Sequence, residues 1–212
     1  MQGAAIASAQ IERGEYEHAL IVAGETGRPL VENTIRSLQD PSVEEATFRE
    51  QFASLTLGSA AIAMVLSRGE PGDGLPRFVG GLTVSATQHN NLSVGDFQGM
   101  RTDAQGLLKA GLDLASLAWN DSAEAFGWSN ENIHTYAVHQ VSKVHTDSVT
   151  DLLGFDPQKV PTIYEEFGNI GPASVPTVLS KEVEAGNVTH GDRVLLTGMG
   201  SGINSSIFEV TW

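Results

Sequence analysis

The chain has 212 residues, 41% of them apolar, enough for a core of ordinary size, and 26 acidic against 12 basic side chains for a net charge of −14. That charge repels phosphate backbones and anionic headgroups, so neither nucleic acid nor a membrane surface is expected as a partner. There is no cysteine, which excludes disulfides, thiolate metal sites and a thiol nucleophile among these residues; no apolar run reaches the ~20 residues of a membrane span and no signal peptide opens the chain, so a cytoplasmic protein is expected.

The chain opens inside a helix: Ala4, Ala5, Ile6, Ala9 and Ile11 are apolar and helix-compatible, and Gly14 supplies a stop. No Ser, Thr, Asp or Asn cap precedes it, so this helix reads as cut rather than started. Ala19–Ala23 is a short apolar run of the kind found in buried strands. Ser42 and Glu45 form a capping box that predicts a helix running to about Ala53. Two strands follow, Ala60–Leu66 and Val79–Thr87, separated by a turn-rich stretch at 69–74.

Leu107, Leu108, Gly111, Leu112, Leu114, Ala115 and Ala118 recur at helical spacing. Ile133–Val138 reads as a strand ending at His139, with a helix from Ser142 to Leu153 after it. A further helix runs from Pro172 to Gly186, with proline near its start and glycine at its stop, before the strands Val194–Thr197 and Ile203–Val210. Strands alternate with helices, so the fold class is α/β with layered packing. The division expected is 1–100 for one half and 101–212 for the other.

The first helix-glycine-strand unit resembles the last. Placing Gly14 on Gly186 also places Glu12 on Glu184, an offset of 172, while the strands align at 174, as a two-residue loop insertion requires. Under the helix offset, the counterpart of Asn169 falls four residues ahead of Met1.

Taken alone, His139 at a strand end is either a structural histidine or a catalytic one, since open α/β sheets place their sites at strand C-termini. Asn169, in the run GNIGPAS, is either a helix cap or turn residue, or an amide held beside chemistry. His134, His139 and His145 make a poor metal set, because strand alternation separates the first two and no carboxylate stands at ligand spacing. The run GMGSG places Gly200 where a nucleophile elbow needs serine, and no helix follows it as a dinucleotide loop would need.

His139-Gln140, the thirty-residue step from His139 to Asn169 in GNIGPAS, Gly191-Asp192-Arg193-Val194-Leu195-Leu196 and the run GMGSG together resemble the C-terminal portion of the ketoacyl synthase III branch of the thiolase superfamily. The resemblance implies a layered αβαβα fold of two pseudo-symmetric halves, the N-terminal half here incomplete, in an acyltransferase that joins acyl thioesters by Claisen condensation. It implies His139 and Asn169 as catalytic residues, Gly200, Ser201 and Gly202 as the loop lining the substrate site, no metal, and no cofactor beyond acyl-CoA or acyl carrier protein thioesters. It also implies a homodimer and a nucleophilic cysteine just ahead of Met1.

His139-Gln140 is followed here by Val141-Ser142-Lys143 rather than the Ala-Asn-basic pattern of carrier-dependent members, which argues against docking to acyl carrier protein. GNIGPAS and the ending GSGINSS look more similar to the head-to-head acyl-CoA condensing enzymes of olefin synthesis. Three readings of the chain stay open: part of a condensing enzyme whose cysteine lies upstream or on a partner chain, a catalytically silent subunit of a thiolase-type assembly, or a truncated product.

Overall fold

The computed structural model describes residues 1–70, 72–96 and 98–212. Its helices and strands are numbered in chain order. Helix α1 (Gln2–Glu12) starts at Met1 without a side-chain cap. Strand β1 (His18–Thr26) pairs antiparallel with β2 (Ser59–Ser67) as a two-stranded ribbon. Between them lie α2 (Arg28–Leu38) and α3 (Glu45–Gln51), the latter tightening into a 3-10 turn at Phe52–Thr56.

Three sequence expectations need correction in this stretch. The capping box does not form: the Ser42 hydroxyl donates to Asp40 Oδ1 at 2.7 Å, and Glu44, in extended conformation, occupies the N-cap of α3 without a side-chain bond. A local Asx-type bond close by in the chain outcompetes the more distant cap. Helix α2 has no reading in the sequence, because Thr34 is its one buried residue and no side chain caps its start. The run 19–23 is a strand but alternates in exposure, with Leu20 and Val22, and Val65 opposite Leu20, more than 60% exposed on the outward face. Of the turn-rich stretch 69–74, Pro71 lies outside the described residues.

Strand β3 (Arg77–Ser85) leaves the ribbon and joins a second sheet. After a small hairpin, β4 (Ser93–Gly95) with β5 (Met100–Thr102), the long helix α4 (Ala104–Phe126) begins at Asp103, whose carboxylate accepts from the Gly106 N–H at 2.9 Å. Strand β6 (Thr135–Val138), helix α5 (Lys143–Leu153), the single turn α6 (Tyr164–Phe167), helix α7 (Ser174–Glu184) and strands β7 (Arg193–Gly200) and β8 (Asn204–Thr211) complete the chain. The second sheet runs β3-β8-β7-β6, parallel only between β6 and β7.

Every residue of β6 is buried, as a strand covered on both faces requires. On one face, Tyr136, Val138, Leu195 and Ile207 pack against Ala115 and Ala118 of α4, Val149 and Leu153 of α5, and Phe155. On the other, Ala137, Val194, Leu196 and Val210 meet Val175, Val178 and Leu179 of α7, whose far side reaches Ala60 and Ile62 of β2. The ribbon, the layer of α7, the four-stranded sheet and the α4/α5 layer therefore stack in sequence as a layered α/β fold.

The repeat between the two ends of the chain is reproduced in the backbone. Helix α1 ends with Gly14 at φ 77°, α7 with Gly186 at φ 76°. The Gly14 N–H donates to Ile11 O at 3.0 Å and the Glu15 N–H to Gln10 O at 3.0 Å; at offset 172, Gly186 donates to Val183 O at 3.0 Å and Asn187 to Glu182 O at 2.9 Å. Both helices end in the same left-handed glycine stop, which a β-carbon would strain.

Glu209, 4% exposed on β8, accepts from Trp128 Nε1 at 2.6 Å and from Arg193 Nε at 2.7 Å and Nη2 at 3.0 Å. Burial raises its pKa, but these hydrogen bonds outweigh it and leave the carboxyl below its ordinary value. A carboxylate with a depressed folded pKa stabilises the fold above the unfolded pKa and loses that contribution as pH falls through the folded one. Glu209→Gln should cost roughly 2–3 kcal/mol at pH 7, less than a wholly buried pair because Arg193 keeps some solvent. In urea unfolding, the gap between the two proteins should narrow as pH falls below about 4; a gap independent of pH would contradict this account.

Candidate functional site

His139 follows the last residue of β6, and its N–H donates to Thr197 O of β7 at 2.7 Å, extending the parallel pairing by one bond. The ring is half-buried in a narrow crevice at the C-terminal edge of the sheet, lined by Val138, Thr197, Gly198, Met199, Ser205 and the ring of His145. The two imidazoles meet edge to face with centroids 6.0 Å apart. Burial first, and His145 second, lower the His139 pKa to about 4. The ring is therefore neutral at pH 7, with one nitrogen that donates and one that accepts.

Asn169 is held by its backbone on both sides. Its N–H donates to Thr56 O at 2.8 Å and its carbonyl accepts from the Gly58 N–H at 2.8 Å, a parallel bridge to Leu57. Gly58 is needed at this crossing, since a β-carbon there would stand 1.8 Å from Phe167 O. The side-chain Oδ1 accepts from the Gly171 N–H at 3.1 Å. That bond closes an Asx turn and does not cap α7, whose N-cap is Ala173. With its oxygen so engaged, the amide is fixed in orientation and its Nδ2 is left to donate. Of the readings of Asn169, the turn residue is the one observed, and the helix cap is not.

Gln140, fully buried, links the two residues. Its backbone N–H donates to Ser174 Oγ at the start of α7 at 3.1 Å, its Nε2 donates to Pro161 O at 2.8 Å, and its Oε1 accepts from the N–H groups of Ile163 at 2.7 Å and Tyr164 at 3.1 Å. These partners bracket Asn169 in sequence, and the buried Ile170 beside it packs in the same cluster as Ala137 of β6. The residue after His139 thus fixes the segment that carries Asn169. Sequence reasoning quoted Gln140 only as part of a motif; its burial was not legible there.

Gly200, Ser201 and Gly202 lie at the β7–β8 hairpin, with Gly200 paired to Asn204 and Ser201 and Gly202 exposed at its tip. The glycine that lines the His139 crevice is Gly198, with Met199 beside it. His134 stands apart from this crevice, at the other end of β6: its Nδ1 accepts from the Arg193 N–H at 3.0 Å and its Nε2 lies 3.7 Å from Asp192.

Residues 123–212 match the family of the 3-oxoacyl-[acyl-carrier-protein] synthase III C-terminal domain. Over its whole length the chain is 45% identical to the acyl-CoA:acyl-CoA alkyltransferase of Xanthomonas campestris, and over 96% of its length it is 31% identical to the protein of that name from Shewanella oneidensis. Crystal structures of Xanthomonas campestris OleA superpose on all of this chain with a TM-score of 0.96 at 45% identity. Residues 123–212 therefore match that C-terminal domain, and the whole chain shares the fold of the OleA structures. It spans 63% and 61% of the length of the two alkyltransferases. Relatives named β-ketoacyl-[acyl-carrier-protein] synthase III include the Gloeobacter violaceus protein, 33% identical over 42% of the chain. Among the described residues, no helix is long and apolar enough to cross a membrane.

Two measurements check this geometry. In an NMR titration, the His139 ring should take up its proton with a midpoint near 4; a midpoint near 6.5 would show a solvated ring. Because the folded pKa is lowered, the neutral ring stabilises the fold above pH 6.5 and that contribution is lost as pH falls toward 4. Gln140→Ala leaves the N–H groups of Ile163 and Tyr164 and the carbonyl of Pro161 unpaired, at a cost of about 2–4 kcal/mol. Amide exchange should accelerate at Ile163 and Tyr164 well before it does in β7; uniform acceleration would contradict a local anchoring role.

Proposed function

We propose that this chain supplies the oxyanion-stabilising half of an acyl-CoA condensing site, with His139 and Asn169 as donors to a thioester carbonyl oxygen. The observation that carries the reading is the pairing of a neutral His139 with an Asn169 amide whose oxygen is already engaged, both fixed through Gln140. A neutral imidazole N–H and an amide N–H both donate without transferring a proton, which suits stabilisation of an enolate rather than acid catalysis.

The nucleophile we propose is a cysteine ahead of residue 1 in the complete protein. In the solved forms of Xanthomonas campestris OleA, the altered cysteine and histidine, positions 143 and 285 of that chain, stand 142 apart. A cysteine 142 positions before His139 falls four residues ahead of Met1, the same place that the internal repeat gives for the counterpart of Asn169. The start of α1 supports this, because Met1 approaches Gly198 of the His139 crevice. The cysteine thiolate attacks one acyl-CoA and expels CoA; a second acyl thioester gives up its α-proton to a base other than His139 and Asn169, and the resulting enolate, its oxygen held by those two residues, attacks the acyl carbon and releases the sulfur as thiolate.

An acyl-CoA substrate is favoured by the named alkyltransferases, and by an OleA structure described with bound lauric acid and lauroyl-CoA. We place the substrate against the β7–β8 hairpin, where Gly200, Ser201 and Gly202 leave backbone accessible. Homodimerisation of the complete protein and a cytoplasmic location are parts of the same proposal.

The test uses the complete protein, with its upstream segment, and long-chain acyl-CoA. His139→Ala and Asn169→Asp should each lower condensation by about 10²–10³-fold while the acyl group still loads onto the cysteine. Condensation retained within a few-fold in Asn169→Asp would overturn the assigned role, because a carboxylate repels the developing negative charge.

A further inference from the structure

Among the described residues, six buried side-chain nitrogen or oxygen atoms have no hydrogen-bond partner in the protein, and three of them converge on one place. His145 Nδ1 from α5, Thr197 Oγ1 from β7 and Ser205 Oγ from β8 belong to residues that line the crevice holding the His139 ring. Thr197 and Ser205 are 6% and 1% exposed, so bulk solvent does not serve them. Buried polar groups are rarely left unpaired, because each then bears its full desolvation cost. The remaining walls, Ala115, Val138, Val149, Gly198 and Met199, offer no side-chain donor and only the weak thioether acceptor of Met199.

The free space in the crevice is that of about one water molecule, which needs two to four polar partners to be held. Other small ligands fit the chemistry poorly. No carboxylate lines the crevice to hold a cation, and both imidazoles have pKa values lowered by burial, which leaves no positive charge for an anion. Water both donates and accepts, as do the two hydroxyls, so one molecule can satisfy all three groups.

We propose that this crevice is a binding site for a single ordered water, bonded by His145, Thr197 and Ser205, and that this water also bonds the His139 ring and fixes its tautomer. Thr197 then acts on His139 twice, since its carbonyl already accepts the His139 N–H at 2.7 Å. His145, Thr197 and Ser205 are positioning residues in this scheme, working through the water to keep a ring N–H aimed at the substrate oxygen. The functional consequence rests on the reading of His139 as an oxyanion donor; the water site does not.

The test reads the ring's tautomer directly, with condensation measured alongside. With 15N-labelled histidine in the complete protein, two-bond nitrogen–proton NMR spectra should show His139 in one neutral tautomer, both in the natural protein and in Thr197→Ser, which keeps the hydroxyl. Thr197→Val combined with Ser205→Ala should give an averaged mixture of tautomers with native circular dichroism. If the double variant does not fold, Ser205→Ala alone carries the same expectation. A crystal structure of the natural protein that resolves other buried waters should show one density peak in contact with the three groups. A single tautomer persisting in the hydroxyl-free variant, or an empty crevice in such a crystal structure, would overturn the proposal. A locked His139 without condensation would reject the proposed function and leave the water site standing. Condensation with freely exchanging tautomers would do the reverse.

Discussion

The buried amide of Gln140 is the constraint on which the site depends. One side chain satisfies two backbone donors and one backbone acceptor in the segment 161–164, while its own N–H reaches Ser174 at the start of α7. The polypeptide from residue 161 to 173 has little regular structure of its own: one helical turn and one 3-10 turn. Its backbone groups need partners from elsewhere, and Gln140 supplies them from the residue next to His139. The spacing of His139 and Asn169 is thereby set by hydrogen bonds in a dry interior, where they are strong and costly to break. Loop 56–58 closes the arrangement from the other side through its parallel bridge to Asn169.

Around this anchor the layering explains why the crevice is narrow and closed to bulk solvent. Strands β6 and β7 are covered on both faces, by α4 and α5 on one and α7 on the other. Side chains at their C-terminal ends consequently emerge into protein rather than into water. That is why His139 stays neutral and why the hydroxyls of Thr197 and Ser205 are out of reach of bulk solvent. The same layering accounts for the likeness of α1 and α7: two helices that end in the same glycine stop, at positions offset by 172, each leading into a strand.

Much of the architecture was legible in the sequence because it rests on local rules. The glycine stops at 14 and 186, the helix from Ser142 to Leu153, the apolar strand at 194–197 and the proline in the 3-10 turn that leads into α7 all behave as their chemistry dictates. Failures came where a competing local bond or tertiary packing overrides the preference read from the sequence. Ser42 found a nearer acceptor in Asp40, α2 shows almost no buried stripe, and β1 exposes alternate apolar side chains that a continuous run does not announce. In the site, His139 and Asn169 were visible as a spaced pair. Gln140, His145, Thr197 and Ser205 were not, since each is an ordinary polar residue until the fold brings it into contact with a neighbour of His139 or with the ring itself. His145 drew attention in the sequence only as a poor metal ligand, whereas in the structure it is the ring that packs against His139.

The central claim is that the amide of Asn169 and the ring of His139 converge on one thioester oxygen. The most direct measurement is a crystal structure of the complete protein acylated on its cysteine and soaked with a non-hydrolysable acyl-CoA analogue. The account predicts the analogue's carbonyl oxygen within about 2.7–3.1 Å of both a His139 ring nitrogen and Asn169 Nδ2, with Asn169 Oδ1 still on the Gly171 N–H. An oxygen bound away from either donor, or an Asn169 amide turned to present its oxygen, would contradict it.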